Sequence, residues 1–404
     1  MFYFVIFIIL FAFSVLEISN INRQSNRILI FLSWLILVIV AGTRYETGAD
    51  WNMYEAFFRE TNSIGKFLMT GSTGLSTNLE FGYFLLCSIL KQFGLGIQFL
   101  FFIIVLFNIT VITKALKHYT QYVVVGLFVY YSLLYITVEF SLIRQALAAS
   151  ICFYAFRFVV SKEWVKYFLL VLIACSFHRS AVIMLPLYFF FKTRFNNTTL
   201  YILILSGSLL MLLRIKWLYN SILFAAGMLG DEFYKKALFY MNNEFFGVSR
   251  TVGVTFFLTI FLFLLFMWKR KEIESKKYGG LFFNVFIAYL VIYFYLYEFY
   301  EISLRFNLYF TLAFVVLFPY VFEIYKIQYN RIIIMAFLVM YSFIPNAQTY
   351  LNHPTMVIYN PYQNYFVHKL FNKKSIGMER IKMNRKVVEQ QREEMKKKNE
   401  GEEE

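Results

Sequence analysis

Residues 251–297 read TVGVTFFLTIFLFLLFMWKRKEIESKKYGGLFFNVFIAYLVIYFYLY, two apolar runs separated by the basic knot Lys269-Arg-Lys-Glu-Ile-Glu-Ser-Lys-Lys277. A helix that crosses a bilayer needs about 20 mostly apolar residues, and a lysine- and arginine-rich loop between two crossings belongs on the cytoplasmic side. The same alternation runs through most of the 404 residues, which are 60% hydrophobic and 22% aromatic, with 51 Phe and 31 Tyr. Charged residues make up only 16%, roughly two-thirds of the usual globular share. Apolar segments recur at approximately 3–19, 28–43, 97–113, 121–138, 142–159, 165–177, 179–191, 199–213, 251–268, 281–297, 304–322 and 332–345. The first is one of many, so a secretory signal does not explain the composition. The expected fold is an all-α, polytopic membrane helical bundle of about 12 transmembrane helices.

Charge sets the expected topology. With the N-terminus outside, the inner loops collect sixteen basic residues against five acids, and the knot at 269–277 faces inward. Residues 81–93 are apolar enough to tempt a thirteenth crossing, but counting them would invert every later loop. They are read instead as a half-embedded helix on the outer side, in keeping with Glu80, Gly82, Ser88 and Lys91. This leaves an integral membrane domain over 1–368 with extracytoplasmic loops at 44–96, 214–250 and 346–368. The mixed-charge tail 369–404 reads as a solvated helix or a disordered segment, outside by the same count.

The net charge of +15 follows from this loop asymmetry and does not point to nucleic acid. The three cysteines, Cys87, Cys152 and Cys175, all lie in apolar runs and are odd in number, so neither a disulfide framework nor a zinc motif is expected. Asp50 and Asp231 are the only aspartates, which leaves no DxD-type metal site, and no phosphate-binding GxxxxGK[ST] loop is present. No metal and no cofactor are expected.

The unusual polar residues fall on the outer side of this topology. Taken singly, an arginine near a helix end snorkels to headgroups, a tyrosine there belongs to the interfacial belt, and a pair such as Glu139 with Arg144 is a helix-spaced ion pair. Convergence favours function: Arg44, Arg144, Arg305 and His178 come from four separate outer turns. Guanidiniums at headgroup level suit a lipid-linked diphosphate, which they bind in bidentate fashion. They would also stabilise the charge that grows on a departing diphosphate. A base for the attacking hydroxyl would be His178, Asp50 or Glu80. The sequence leaves all three open, with His178 the first choice and Asp50 orienting the acceptor.

Five ordered elements carry a family resemblance. Arg44-Tyr-Glu-Thr-Gly-Ala-Asp-Trp-Asn-Met-Tyr54, Glu80-Phe-Gly-Tyr83, Ile143-Arg-Gln-Ala-Leu-Ala148, Phe177-His-Arg-Ser-Ala181 and Leu304-Arg-Phe-Asn-Leu-Tyr309 resemble the R-x-x-x-G-x-D-x-x-x-Y, E-x-G-Y, I-R-Q-x-x-A, F-H-x-S-A and R-x-x-x-Y elements of the EpsG family of Wzy-like bacterial polysaccharide polymerases. The tyrosine-rich loop around Pro361, Tyr362, Asn364 and Tyr365 is of the same type. The resemblance implies an enzyme in the bacterial cytoplasmic membrane. It would join oligosaccharide repeat units carried on undecaprenyl diphosphate into exopolysaccharide, capsule or O-antigen at the extracytoplasmic face. Arg44, Arg144 and Arg305 would hold the diphosphate, and Tyr45, Tyr54, Tyr83, Tyr309, Tyr362 and Tyr365 the glycan. Expected partners are the lipid-linked oligosaccharide, membrane lipids, and a chain-length regulator and flippase of the same pathway. A flippase, a membrane acyltransferase using His178 and a non-enzymatic export scaffold are the competing readings.

Overall fold

The computed structural model describes residues 2–19, 23–75, 79–241, 249–325, 328–351 and 357–386. Parts of the loops 44–96, 214–250 and 346–368, and the tail beyond 386, lie outside the described residues. Within them the chain is helical throughout, and its one isolated β-bridge joins Arg44 to Asn364.

Four helices, Phe2–Ser19, Ile97–Tyr119, Val123–Phe140 and Ile143–Val160, are long and apolar enough to cross a membrane. Two bent pairs raise the number to six: Asn197–Leu212 with Trp217–Met228, turned by 88°, and Tyr300–Thr311 with Phe314–Ile324, turned by 42°. The other expected segments are helices too, but several are short. Asn26–Gly42, Trp164–Phe177, Val254–Trp268 and Gly279–Tyr295 are apolar helices of only 10–17 residues, and 179–191 breaks into a 3₁₀ turn, Arg179–Ile183, and the helix Met184–Lys192. Length and composition therefore support four to six crossings among the described residues, where the sequence suggests twelve.

Loops that charge assigns to the same side contact one another. Loops assigned inward by charge meet at one end of the bundle. Glu323 accepts from Thr120 Oγ1 at 2.9 Å and pairs with Lys276 at 2.8 Å, while Arg270 donates to Asn197 Oδ1 and to the Phe195 carbonyl, each at 2.6 Å. Arg157 lies 2.9 Å from His118 Nε2. Arg144, at the opposite end of the helix Ile143–Val160 from Arg157, meets Glu80 of the first outer loop, which also accepts the Arg179 amide.

In lipid, helices associate through close packing and internal hydrogen bonds, because the surrounding tails are as apolar as the side chains. Three of the buried polar groups here serve as caps. Glu298 accepts the amides of Leu218 and Tyr219 at 2.8 and 2.9 Å, closing the N-terminus of the helix Trp217–Met228. Glu17 does the same for Val124 and Val125, at 3.0 and 2.9 Å. Asn284 donates to the carbonyls of Phe191 and Thr193 at 3.0 and 2.8 Å, satisfying the end of the helix Met184–Lys192. Unsatisfied helix ends of this kind are costly away from water.

The stretch 81–93 forms the helix Phe81–Gln92. Its buried face, Tyr83, Cys87 and Leu90, joins Trp51, Tyr54 and Phe58 of the helix Trp51–Glu60 in a satellite core with Leu100, Ile104, Ile143 and Leu147. That core seats the loop elements against the bundle.

Candidate substrate site

Arg144 opens the helix Ile143–Val160. Its Nη1 donates to Glu80 Oε2 at 2.5 Å, and the pair is mostly shielded, with side chains 18% and 10% exposed. The guanidinium lies 5.8, 5.9 and 6.0 Å from the ring centres of Tyr54, Tyr83 and Phe57, a cation–π cage contributed by two outer helices. Its buried Nε has no hydrogen-bond partner among the described residues. A planar, permanently charged group with a spare buried donor fits an anionic ligand with several oxygens.

Glu80 reaches this position because of Gly82. A Cβ on Gly82 would lie 2.4 Å from Ser176 Oγ and 2.8 Å from the Ser176 carbonyl oxygen, so only glycine lets Phe81–Gln92 approach the helix Trp164–Phe177 this closely. Glu80 thereby also accepts the Arg179 amide at 3.4 Å, beside His178. Overpacking typically costs about 1–3 kcal/mol. Gly82→Ala is therefore expected to lower the thermal midpoint of the purified protein and to shorten the product ladder. A variant equal to the parent in both would show that the close approach is dispensable.

Asp50 is held by a turn that needs its own glycine. Gly48 has φ +114°, and a Cβ there would lie 2.1 Å from the Phe140 carbonyl oxygen. The next amide, Ala49, donates to Ser141 Oγ at 2.9 Å, and Ser141 is 2.9 Å from the Tyr359 hydroxyl. Asp50 precedes the helix Trp51–Glu60 without capping it through its side chain, so its carboxylate is available. Burial raises its pKa above the ordinary value, against the opposing pull of Arg144 and Arg305. Glu80 moves the other way: burial works to raise it, but Arg144 and other partners hold it below the usual range. Arg305 joins the group from the helix Tyr300–Thr311, whose backbone is tied across by Gln145 Nε2 donating to the Arg305 carbonyl at 2.5 Å.

His178 sits in the turn between Trp164–Phe177 and Arg179–Ile183. Burial lowers its pKa below the ordinary value although Glu80 acts to raise it; Arg144 and Arg305 add to the lowering. Asp50, Glu80, Arg144, His178 and Arg305 thus come together from separate segments, with Tyr54, Tyr83 and Tyr309 beneath them.

Two residues lie elsewhere than the sequence suggests. Arg44 lies deeper than Arg144. It is 1% exposed, with its guanidinium 4.4 Å from the Phe101 ring centre and 5.3 Å from that of Phe140, and its Nη1 donates to the Ala41 carbonyl at 2.9 Å. Aromatic faces and a helix C-terminus draw it inward, where a snorkelling arginine would point outward. Glu139 is not an ion-pair partner of Arg144 either. It is fully buried and accepts from the Tyr130 hydroxyl at 2.6 Å and Asn108 Nδ2 at 3.1 Å, because the break at 141–142 turns the two residues onto different helices.

The six tyrosines divide between two places. Tyr45, Tyr362 and Tyr365 belong to a seam between the first outer loop and the loop 346–368, in which Tyr45 N donates to the Gln363 carbonyl and Tyr365 N to the Thr43 carbonyl, each at 2.8 Å. Residues of the tail itself close this seam. Arg380 Nη1 donates to Thr47 Oγ1 at 2.8 Å and to the Glu46 carbonyl at 3.2 Å, its Nη2 donates to the Pro361 carbonyl, and Ser375 Oγ donates to Glu46. The tail is thus packed through Arg380, not wholly solvated as its charge pattern suggests, because one arginine finds buried acceptors. Ser141, Gln145 and Ser180 are the site residues that the sequence reading passes over. Gln145 and Ser180 carry a signal, since both lie inside the quoted elements.

Among the described residues no three His, Cys, Asp or Glu side chains gather as a metal-binding group. The sequence model of the EpsG family matches residues 27–365 of this chain. The chain belongs to the EpsG family. That match takes in all five elements and the seam as far as Tyr365, and membership together with the apolar helices makes this an integral membrane protein of polysaccharide biosynthesis. No curated protein and no solved structure is similar enough to count as a match.

Proposed function

We propose that this EpsG-family protein polymerises oligosaccharide repeat units carried on undecaprenyl diphosphate, at the extracytoplasmic face of the bacterial cytoplasmic membrane. The observation that carries the reading is the meeting of Arg144 and Arg305 with Asp50, Glu80 and His178 at one end of the bundle. The outward placement rests on the basic loops gathered at the opposite end.

In this reaction the acceptor sugar hydroxyl attacks the anomeric carbon of the donor. The carbon–oxygen bond to the lipid diphosphate breaks, the electron pair leaves with the diphosphate, and the hydroxyl proton passes to a carboxylate. Arg144 and Arg305 stabilise the charge developing on the departing diphosphate. Glu80 keeps the Arg144 fork in one orientation, which is what bidentate recognition requires. Asp50 takes the proton, since its carboxylate is not committed to an ion pair and its raised pKa strengthens it as a base. Arg44 has a structural part, holding the first loop against Phe101 and Phe140.

Reconstitution with a purified lipid-linked repeat unit tests the reading. A ladder of products with matching release of lipid diphosphate is the expected result. Movement of the unit between leaflets without a ladder would make the protein a flippase, and neither activity would leave the scaffold reading.

A further inference from the structure

The turn that holds His178 fixes which ring nitrogen carries the proton. His178 Nδ1 accepts the backbone amide of Ser180 at 3.3 Å. A backbone N–H only donates, so Nδ1 carries no hydrogen of its own. Ser180 Oγ lies 2.6 Å from the same Nδ1, and the hydroxyl must therefore give its hydrogen to the ring. With that hydrogen committed, Ser180 Oγ accepts from the Tyr309 hydroxyl at 2.9 Å. Tyr309 is fully buried. A one-way chain results, from Tyr309 through Ser180 to His178 Nδ1.

We propose that His178 is a hydrogen-bond donor through Nε2–H to an oxygen of the lipid diphosphate, and not the base, with Ser180 and Tyr309 as the positioning residues that impose this tautomer. The inference rests on the polymerase reading for the identity of the oxygen, but the tautomer stands on geometry alone. Nε2 takes no partner among the described residues, so it is free to meet a ligand. Glu80, Arg144 and Arg305 all act on the ring, which places it within the same cluster. The lowered pKa of His178 is consistent with a neutral ring, since a buried cation beside two arginines is disfavoured. A neutral imidazole with Nε2 protonated has one donor to offer and no second acceptor. Proton removal from the acceptor hydroxyl then falls to Asp50.

The test combines a direct readout with an activity readout. Protein labelled with ¹⁵N-histidine carries four histidines, and the resonances missing from His178→Gln assign the ring. The expected spectrum shows Nε2 protonated and Nδ1 bare, with Ser180→Ala and Tyr309→Phe increasing the share of the other tautomer. A protonated Nδ1 in the parent protein overturns the proposal. In the reconstituted reaction, His178→Gln keeps an N–H donor at about the Nε2 position and has no basic nitrogen. It is expected to retain polymerisation within about tenfold of the parent, while His178→Ala falls by about a hundredfold, the usual loss for one preorganised donor. Equal loss in both variants, at matched thermal midpoints, overturns the donor role. If the parent makes no polymer at all, the polymerase reading has failed, and the spectrum still decides the tautomer.

Discussion

Arg144→Lys is expected to abolish detectable polymer while the protein accumulates normally in the membrane. Lysine keeps the charge but has a single point of attachment, so the two parallel contacts that a guanidinium makes to diphosphate oxygens are lost. The substitution also undoes the setting of that group. Glu80, now 2.5 Å from Arg144 Nη1, would face a shorter, mobile ammonium, and the Tyr54, Tyr83 and Phe57 rings would no longer frame a plane. Losing one preorganised stabiliser of a developing oxyanion costs about 10²–10³ in rate, and the Arg144 change removes its orientation as well. Arg305→Lys is expected to follow the same pattern. Polymer length on gels, with membrane protein quantified in parallel, is the measurement. Normal ladders in both variants would mean that neither arginine handles the diphosphate, and a scaffold would explain the protein better.

Asp50→Asn is the second change of large expected effect. General base catalysis contributes about 10²–10⁴ in rate, and asparagine is nearly the same size, so folding at Gly48 and Ser141 should be preserved. The pH dependence follows from sign. Burial sets the Asp50 pKa above its ordinary value, and the base works only when deprotonated. The parent rate should therefore rise with pH through that raised pKa and fall as the medium is acidified. The residual rate of Asp50→Asn should lack this acid limb. An unchanged limb in the variant would transfer the proton-accepting role to Glu80, whose pKa lies lower because Arg144 and other partners outweigh the effect of burial.

The apolar rhythm and the grouping of the basic loops are legible in the sequence because both are set by local composition. The five basic residues between Trp268 and Tyr278 mark the loop that meets Asn197, Phe195 and Glu323 in the fold. Crossing lengths are harder to read, because an apolar stretch such as 179–191 does not disclose that its first turn winds as a 3₁₀ helix. Arg144, Glu80 and His178 stand out as polar residues in otherwise apolar surroundings. Arg44 looks equivalent to Arg144 in sequence and is not. Its fate depends on Phe101 and Phe140, which only folding brings to it. Glu139 misleads for a similar reason, since Glu139 and Arg144 look like neighbours on one helix face until a turn separates them. Ser180 is hidden by chemistry of another kind: a small hydroxyl says nothing about orientation until its amide and the Tyr309 phenol are seen on either side.

The contact between Arg380 and Thr47 joins residues 333 positions apart, which bears on when this protein becomes competent during its synthesis. Translation delivers the first loop long before Arg380, and membrane segments enter in order of emergence. The amino-terminal segments can insert and pack long before Glu46 and Thr47 meet their final partners. A nascent chain interrupted after residue 351 would hold its membrane helices but lack the strap that fastens the stretch leading to Asp50. A chain that has not yet reached Arg380 therefore carries the stretch Glu46–Asp50 without this fastening.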